Sequence, residues 1–167
     1  MALLGGDRIM REVTCCFTGH RQIPVEKVEI VKTRLREALI SAVNSGYRYF
    51  GAGGALGFDT LAANEVLALK DYCLDVRLIL VLPCKSQARG WKSRDIEVYE
   101  AIKKSAYKVE YISENYYNGC MHKRNRHLVD NSSMCICYLT KKSGGTHYTV
   151  HYAEEHGLNI INLADSR

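Results

Sequence analysis

Apolar residues along this chain alternate between two kinds of segment. Residues 14–18 (Thr-Cys-Cys-Phe-Thr), 77–82 (Arg-Leu-Ile-Leu-Val-Leu) and 134–139 (Met-Cys-Ile-Cys-Tyr-Leu) are short runs without polar alternation. Residues 47–50, 108–112 and 159–163 are shorter strand-like stretches. Strands of this kind are buried on both faces. Between them the spacing turns helical. Val28, Val31, Leu35, Ala38, Leu39 and Ala42 recur every three or four residues until Gly46 stops the pattern. Pro24 sits near the start of that helix, where its missing N–H costs nothing. Residues 61–70, a segment with Ile96, Tyr99 and Ile102, residues 121–131, and the stretch from the 143–146 loop to His156 read as further helices. Gly157 stops the last of these. Strands interleaved with helices predict a single-domain α/β fold of Rossmann-like type, a parallel sheet of about six strands with helices on both faces. The domain is expected over residues 14–163, with tails at 1–13 and 164–167.

Right-handed crossovers carry the C-terminal loop of every strand to one edge of such a sheet, and ligands bind there, near the reversal in strand order. That edge is expected to collect Gly19-His20-Arg21, residues 53–59, residues 83–91 and Ser143-Gly144-Gly145-Thr146. The densest signal is Gly51, Gly53, Gly54 and Gly57 between a strand and a helix. Glycine permits φ > 0 and keeps Cβ out of the way, so backbone N–H groups and a helix N-terminus can face a phosphate. A plain tight turn is the alternative, and Leu56 stands where the dinucleotide fingerprint needs its third glycine. Asp59 is placed to cap the following helix, with a catalytic acid as the alternative. Two glycine loops converging on one edge favour a phosphate-bearing ligand. His20 and Arg21 follow the first strand and face it, against the alternative of a surface ion pair. Trp91, Tyr116 and Tyr117 are candidates to stack a base, against core or rim packing.

Composition narrows the class. The 167 residues suffice for one domain with a full core, and no apolar run approaches the roughly 20 residues that span a bilayer. The first eleven residues do not read as a signal peptide. A net charge of +5 suits an anionic ligand but is too mild to imply nucleic acid without a clustered basic face. Seven cysteines, an odd number with no Cys-x-x-Cys, point to free thiols and a cytoplasmic location. His147 and His151 have a metal-pair spacing but lack a third ligand, so no metal is expected, and no cofactor either. Cys84 and Cys120 flank the edge loops without a base to activate them. Lys141-Lys142 reads by default as a solvated turn, with an electrostatic lead-in for anions as the alternative.

Five separated motifs resemble one family. Phe17-Thr18-Gly19-His20-Arg21, residues 53–59 (Gly-Gly-Ala-Leu-Gly-Phe-Asp), Leu82-Pro83-Cys84, residues 119–125 (Gly-Cys-Met-His-Lys-Arg-Asn) and Gly144-Gly145-Thr146 are similar to the YpsA-type branch of the SLOG superfamily, in order and over about residues 14–163. That superfamily includes the DprA single-strand DNA-binding proteins and the LOG phosphoribohydrolases. The resemblance implies a Rossmann-like sheet that binds a nucleotide or nucleotide-derived ligand, and it leaves a homo-oligomer open. Met121-His122-Lys123-Arg124-Asn125 is similar to the LOG helix that supplies a catalytic arginine, which puts Arg124 in that place. The partner loop departs from the LOG pattern, because residues 143–150 contain no glutamate. N-glycosidic cleavage needs a carboxylate to activate water or steady an oxocarbenium-like state, so the expectation is a binder, as a sensor or regulatory protein. The expected ligand contacts are Gly19, His20, Arg21, Gly53, Gly54, Gly57, Asp59, Trp91, Arg124, Asn125, Gly144, Gly145 and Thr146. No catalytic residue is assigned. A phosphoribohydrolase with Asp59 or Glu65 as replacement carboxylate, and a single-stranded nucleic-acid binder, are the rival readings. No membrane partner is expected.

Overall fold

A computed structural model describes residues 10–165. Its elements are β1 (Thr14–Gly19), a 3₁₀ turn (Val25–Lys27), α1 (Val28–Asn44), β2 (Tyr49–Ala52), α2 (Phe58–Leu69), β3 (Arg77–Cys84), α3 (Ser93–Ser105), β4 (Lys108–Ser113), α4 (Cys120–Asp130), β5 (Met134–Tyr138), α5 (Gly145–Glu155) and β6 (Asn159–Asn162). The expected Rossmann-like α/β architecture is present. Six strands pair in the order β4-β3-β2-β1-β5-β6, and every pair is parallel.

The period-2 geometry of a strand divides its residues between two cores. Cys15 and Phe17 of β1, with Met134, Ile136 and Tyr138 of β5, face α1, α2 and α3, where Leu35, Phe58, Val66 and Ile102 meet them. Cys16, Cys135 and Cys137 face the other way, against Leu128 and Val129 of α4 and Val150 and Ala153 of α5. Both faces of the central strands are therefore apolar for a reason, and the small thiols act as compact hydrophobes. All seven cysteines carry free thiols, and six of them are buried. Complete burial of a ring such as Phe58 stabilises the fold by roughly 1.5–3 kcal/mol.

Some boundaries differ from the sequence pattern. Pro83 lies inside β3 rather than ending it. The β2 ladder stops at Leu80, and the β4 register passes from Leu82 to Cys84, so no ladder bond is asked of a residue without an N–H. Asp59 is not the N-cap of α2. Gly57 holds that position, with φ 78°, and Asp59 lies inside the first turn. A Cβ at Gly57 would fall 2.2 Å from the Arg21 carbonyl oxygen, so the chain after β1 packs directly on this cap.

Candidate functional site

Strand order reverses between β1 and β5, where α/β sheets open a crevice at their C-terminal edge. A cleft of about 380 Å³ lies there. Gly19 borders it from the end of β1, Arg21 from the chain after β1, Asp59 from α2, Arg124 and Asn125 from α4, and Gly144 to Thr146 from the cap and first turn of α5. Most of the sequence-predicted residues thus come together, although they serve different ends.

The first glycine loop is engaged by the protein itself. A Cβ on Gly53 would lie 2.6 Å from the Arg124 guanidinium, and one on Gly54 (φ 71°) would lie 2.4 Å from Leu82 Cδ2. The nearby N–H groups are also taken: Phe58 donates to the His20 carbonyl at 3.1 Å, and Ala55 donates to the Asp59 carboxylate at 3.3 Å. These glycines allow close packing rather than open a cradle. Gly19 does the same, since a Cβ there would meet the Phe58 ring at 2.4 Å. The second loop is the reverse case. Gly144 caps α5 with φ 95°, and nothing lies within 4 Å of where a Cβ on Gly144 or Gly145 would stand. The N-terminus of α5 therefore opens on the cleft, where its dipole and first N–H groups favour an anion.

Arg124 is the buried cation of the site, only 4% exposed. It donates to the Gly53 carbonyl through Nη1 and to Asn125 Oδ1 through Nε at 2.6 Å. Gln87 Nε2 also donates to the Gly53 carbonyl, at 3.1 Å, and Tyr99 donates from its hydroxyl to Gln87 Oε1 at 3.3 Å. This chain of bonds fixes the β2–α2 loop against α4. Burial lowers the Arg124 pKa, and the nearby Asp59 charge opposes that effect. Burial likewise raises the Asp59 carboxyl, while Arg124 and the Ala55 N–H pull it back. A guanidinium stays protonated under such a shift.

Arg21 is exposed and reaches across the cleft to donate to Met121 Sδ at 3.4 Å. A thioether is a weak acceptor, so an anion readily replaces it. His20 does not present its Nε2 to a ligand. That atom accepts from the Thr140 N–H at 2.9 Å and ties the chain after β1 to the chain after β5. Its pKa is lowered by partial burial and by the Lys141 charge, so neutral imidazole makes this bond.

Trp91 is outside the cleft, half-buried and edge-on to Tyr99 at 5.3 Å between ring centroids. Tyr116 and Tyr117 are exposed and do not border it either. Of the rings that do border the cleft, His122 lies edge-on to Tyr148 at 4.9 Å and His20 edge-on to Tyr138 at 5.9 Å. Glu65, the rival carboxylate, is bound to Arg36 Nε at 2.6 Å between α1 and α2, which leaves Asp59 as the sole carboxylate bordering the cleft among the described residues. Sequence reasoning missed Gln87 and His122 as site residues, and it ranked Lys141 as a solvated turn ahead of a lead-in for anions. Gln87 carried no signal, since its partner Gly53 is 34 residues away. Lys141 was visible as a charged turn beside the second glycine loop. His151 pairs with Glu154 and Glu155 on the surface.

A parallel sheet of this order, with its cleft at the switch point, is a Rossmann-like fold of the kind that binds ligands at strand C-termini. The family model YpsA, described as the YspA SLOG family, matches residues 15–162, and the chain belongs to that family. It is similar to UPF0398 proteins of Bacillus thuringiensis (strain Al Hakam) and Bacillus cereus (strain Q1), at 29% identity over 133 residues, 78% of this chain and 72% of each relative. In fold it resembles DNA processing protein A from Helicobacter pylori, with a TM-score of 0.63 and 19% identity over 93% of this chain and 66% of that one. That structure is described by its single-stranded DNA binding mode. DNA processing protein A from Streptococcus pneumoniae is similar too, with a TM-score of 0.64 and 16% identity over 91% of this chain and 50% of that one. The chain therefore spans about two thirds of the first DprA protein and half of the second. Among the described residues, no helix is long and apolar enough to cross a membrane.

Proposed function

We propose that this protein binds a nucleotide or nucleotide-derived phosphate in the cleft between the ends of β1 and β5, as a sensor or regulatory protein. The observation that carries this reading is the pairing of an open helix N-terminus at Gly144-Gly145 with two arginines, Arg21 and Arg124, around one buried carboxylate. The cleft is rich in donors and positive in balance, which suits a phosphate. The test is calorimetric titration with a panel of nucleoside mono-, di- and triphosphates, run beside a thermal-shift screen. A ligand at 100 times its Kd stabilises the fold by about 2.7 kcal/mol. No stabilisation by any nucleotide removes the proposal.

A single-stranded nucleic acid is the second reading, favoured by the fold likeness to the H. pylori protein. Its signature is a steep fall in oligonucleotide affinity with salt, because several phosphates then release counterions.

A further inference from the structure

Arg21 reaches across the cleft to one atom, the Met121 sulfur, at 3.4 Å. Met121 stands in the first turn of α4, partly exposed, and both residues border the cleft. The Asp59 carboxylate also feels the Arg21 charge, but it is buried and accepts from the Ala55 N–H. The strength of the Arg21–Met121 contact therefore sets how readily the guanidinium turns to an incoming anion. A thioether sulfur is a weak acceptor, so the contact yields easily. One chemical change makes it strong: an oxygen atom added to that sulfur. Oxidation turns a flexible apolar side chain into a polar one, and the sulfoxide oxygen accepts from a guanidinium as a carbonyl does.

We propose that Met121 is an oxidation site that gates the cleft: hydrogen peroxide converts its thioether to the sulfoxide, the new oxygen holds the Arg21 guanidinium, and anion affinity falls. The proposal rests on the reading of the cleft as a phosphate site and adds its regulation. The sulfur lone pair attacks one peroxide oxygen and the O–O bond breaks. The departing hydroxide takes the proton of the transferred oxygen and leaves as water. Sulfur gives up two electrons and the peroxide takes them, so no further reactant is needed. The rest of the chain competes poorly for the oxidant. Six of the seven thiols are buried, and burial pushes Cys15 up and Cys137 up to about 12. The seventh, Cys73, is raised by its hydrogen bond to Asp75. Peroxide attacks the thiolate, whereas a thioether has no proton to lose. Among the described residues, Met134 is buried in the core, and Met10 borders a separate hollow with Gly51 and Ile79. Met121 is the methionine that touches a cation of the cleft.

The test is calorimetric titration with nucleoside mono-, di- and triphosphates before and after hydrogen peroxide, with mass spectrometry of the peptide that carries Met121. Wild-type affinity is expected to fall about tenfold or more on oxidation, the loss of one charge-assisted contact. Treatment with a methionine sulfoxide reductase is expected to restore it. Met121→Leu keeps an apolar side chain and takes up no oxygen, so its Kd is expected to be the same before and after peroxide. Arg21→Ala is expected to show no further loss on oxidation, because the guanidinium is gone. Met121→Gln, which places an amide oxygen on a side chain of similar length, is expected to bind more weakly than wild type without any peroxide. Unchanged wild-type affinity with Met121 shown to be oxidised, or a loss that persists in Met121→Leu or in Arg21→Ala, overturns the gate and leaves the phosphate cleft standing. A Met121 that resists oxidation while Met10 is converted overturns it as well. Untreated protein that binds no nucleotide overturns the cleft reading, and the gate with it.

Discussion

Arg21 and Arg124 are both cations of the cleft, but they are held in opposite ways. Arg124 is buried, and it satisfies the Gly53 carbonyl and offsets the Asp59 charge before any ligand arrives. Arg21 is exposed, and its Nη2 donates to the Met121 thioether, a weak acceptor. Arg124→Ala removes the largest charge offset of the buried Asp59 carboxylate and a donor of the Gly53 carbonyl, so the fold is expected to lose roughly 1–3 kcal/mol in urea denaturation, and any binding defect is confounded. Arg21→Ala separates the two effects. Its stability is expected to stay within about 0.5 kcal/mol of wild type. Its nucleotide affinity is expected to fall roughly 10- to 150-fold, the loss of one charge-assisted contact. An unchanged Kd in Arg21→Ala takes the anion away from Arg21. Asp59 decides the question of chemistry. A buried carboxylate engaged with the Ala55 N–H is poorly placed to activate water, so no release of base from nucleoside monophosphates above background is expected. Turnover that Asp59→Asn abolishes, in a variant that still folds, makes the protein a hydrolase.

At the scale of elements, the two glycine loops look alike in sequence and differ in what surrounds them. Both follow a strand and precede a helix, and that much was legible from glycine spacing alone. What fills the space over each loop was not, because the atoms concerned come from distant parts of the chain. Arg124 lies over Gly53, and Leu82 and Gln87 lie over Gly54, while nothing lies over Gly145. Asp59 was misplaced for a related reason: the helix starts at Phe58, with Gly57 at φ 78° as its cap, and Asp59 then falls two positions too late to cap. A pair of substitutions separates the loops. Gly54→Val drives a branched side chain into Leu82 at positive φ, and a large drop in Tm is expected, of the order of overpacking plus backbone strain, about 2–5 kcal/mol. Gly145→Val meets open space at a position without positive φ, so Tm is expected to change little. Its ligand affinity is expected to fall at least about tenfold, because the side chain occupies the approach to the α5 N-terminus. Undiminished affinity in folded Gly145→Val moves the phosphate elsewhere.

For the molecule as a whole, the six-stranded parallel sheet was legible because its central strands are apolar on both faces, with Cys15 and Phe17 facing one core and Cys16 the other. The strand order, and hence the switch point, was not legible, since residues 14–18 and 134–139 show no mark of being neighbours. One bond beyond the sheet reports on that neighbourhood, from the Thr140 N–H to His20 Nε2. It joins the chain on the two sides of the switch point, and it requires the neutral ring. Because the folded pKa of His20 is lowered from 6.5, the unfolded chain takes up the proton first as pH falls. The stability from this bond is therefore complete above about pH 6.5 and is lost as pH drops from there through the lower folded value. Asp59 has the opposite sign. Its raised folded pKa favours the fold at lower pH, from its folded value down toward 3.8. A His20→Gln variant removes the first effect and retains the second. Denaturation from pH 8 to pH 5 is expected to show wild type losing stability relative to His20→Gln as the medium becomes more acid, with the difference confined to pH values below about 6.5. The variant removes one histidine, so contributions of the others cancel in the comparison. Parallel pH profiles for the two proteins exclude His20 as the latch between β1 and β5.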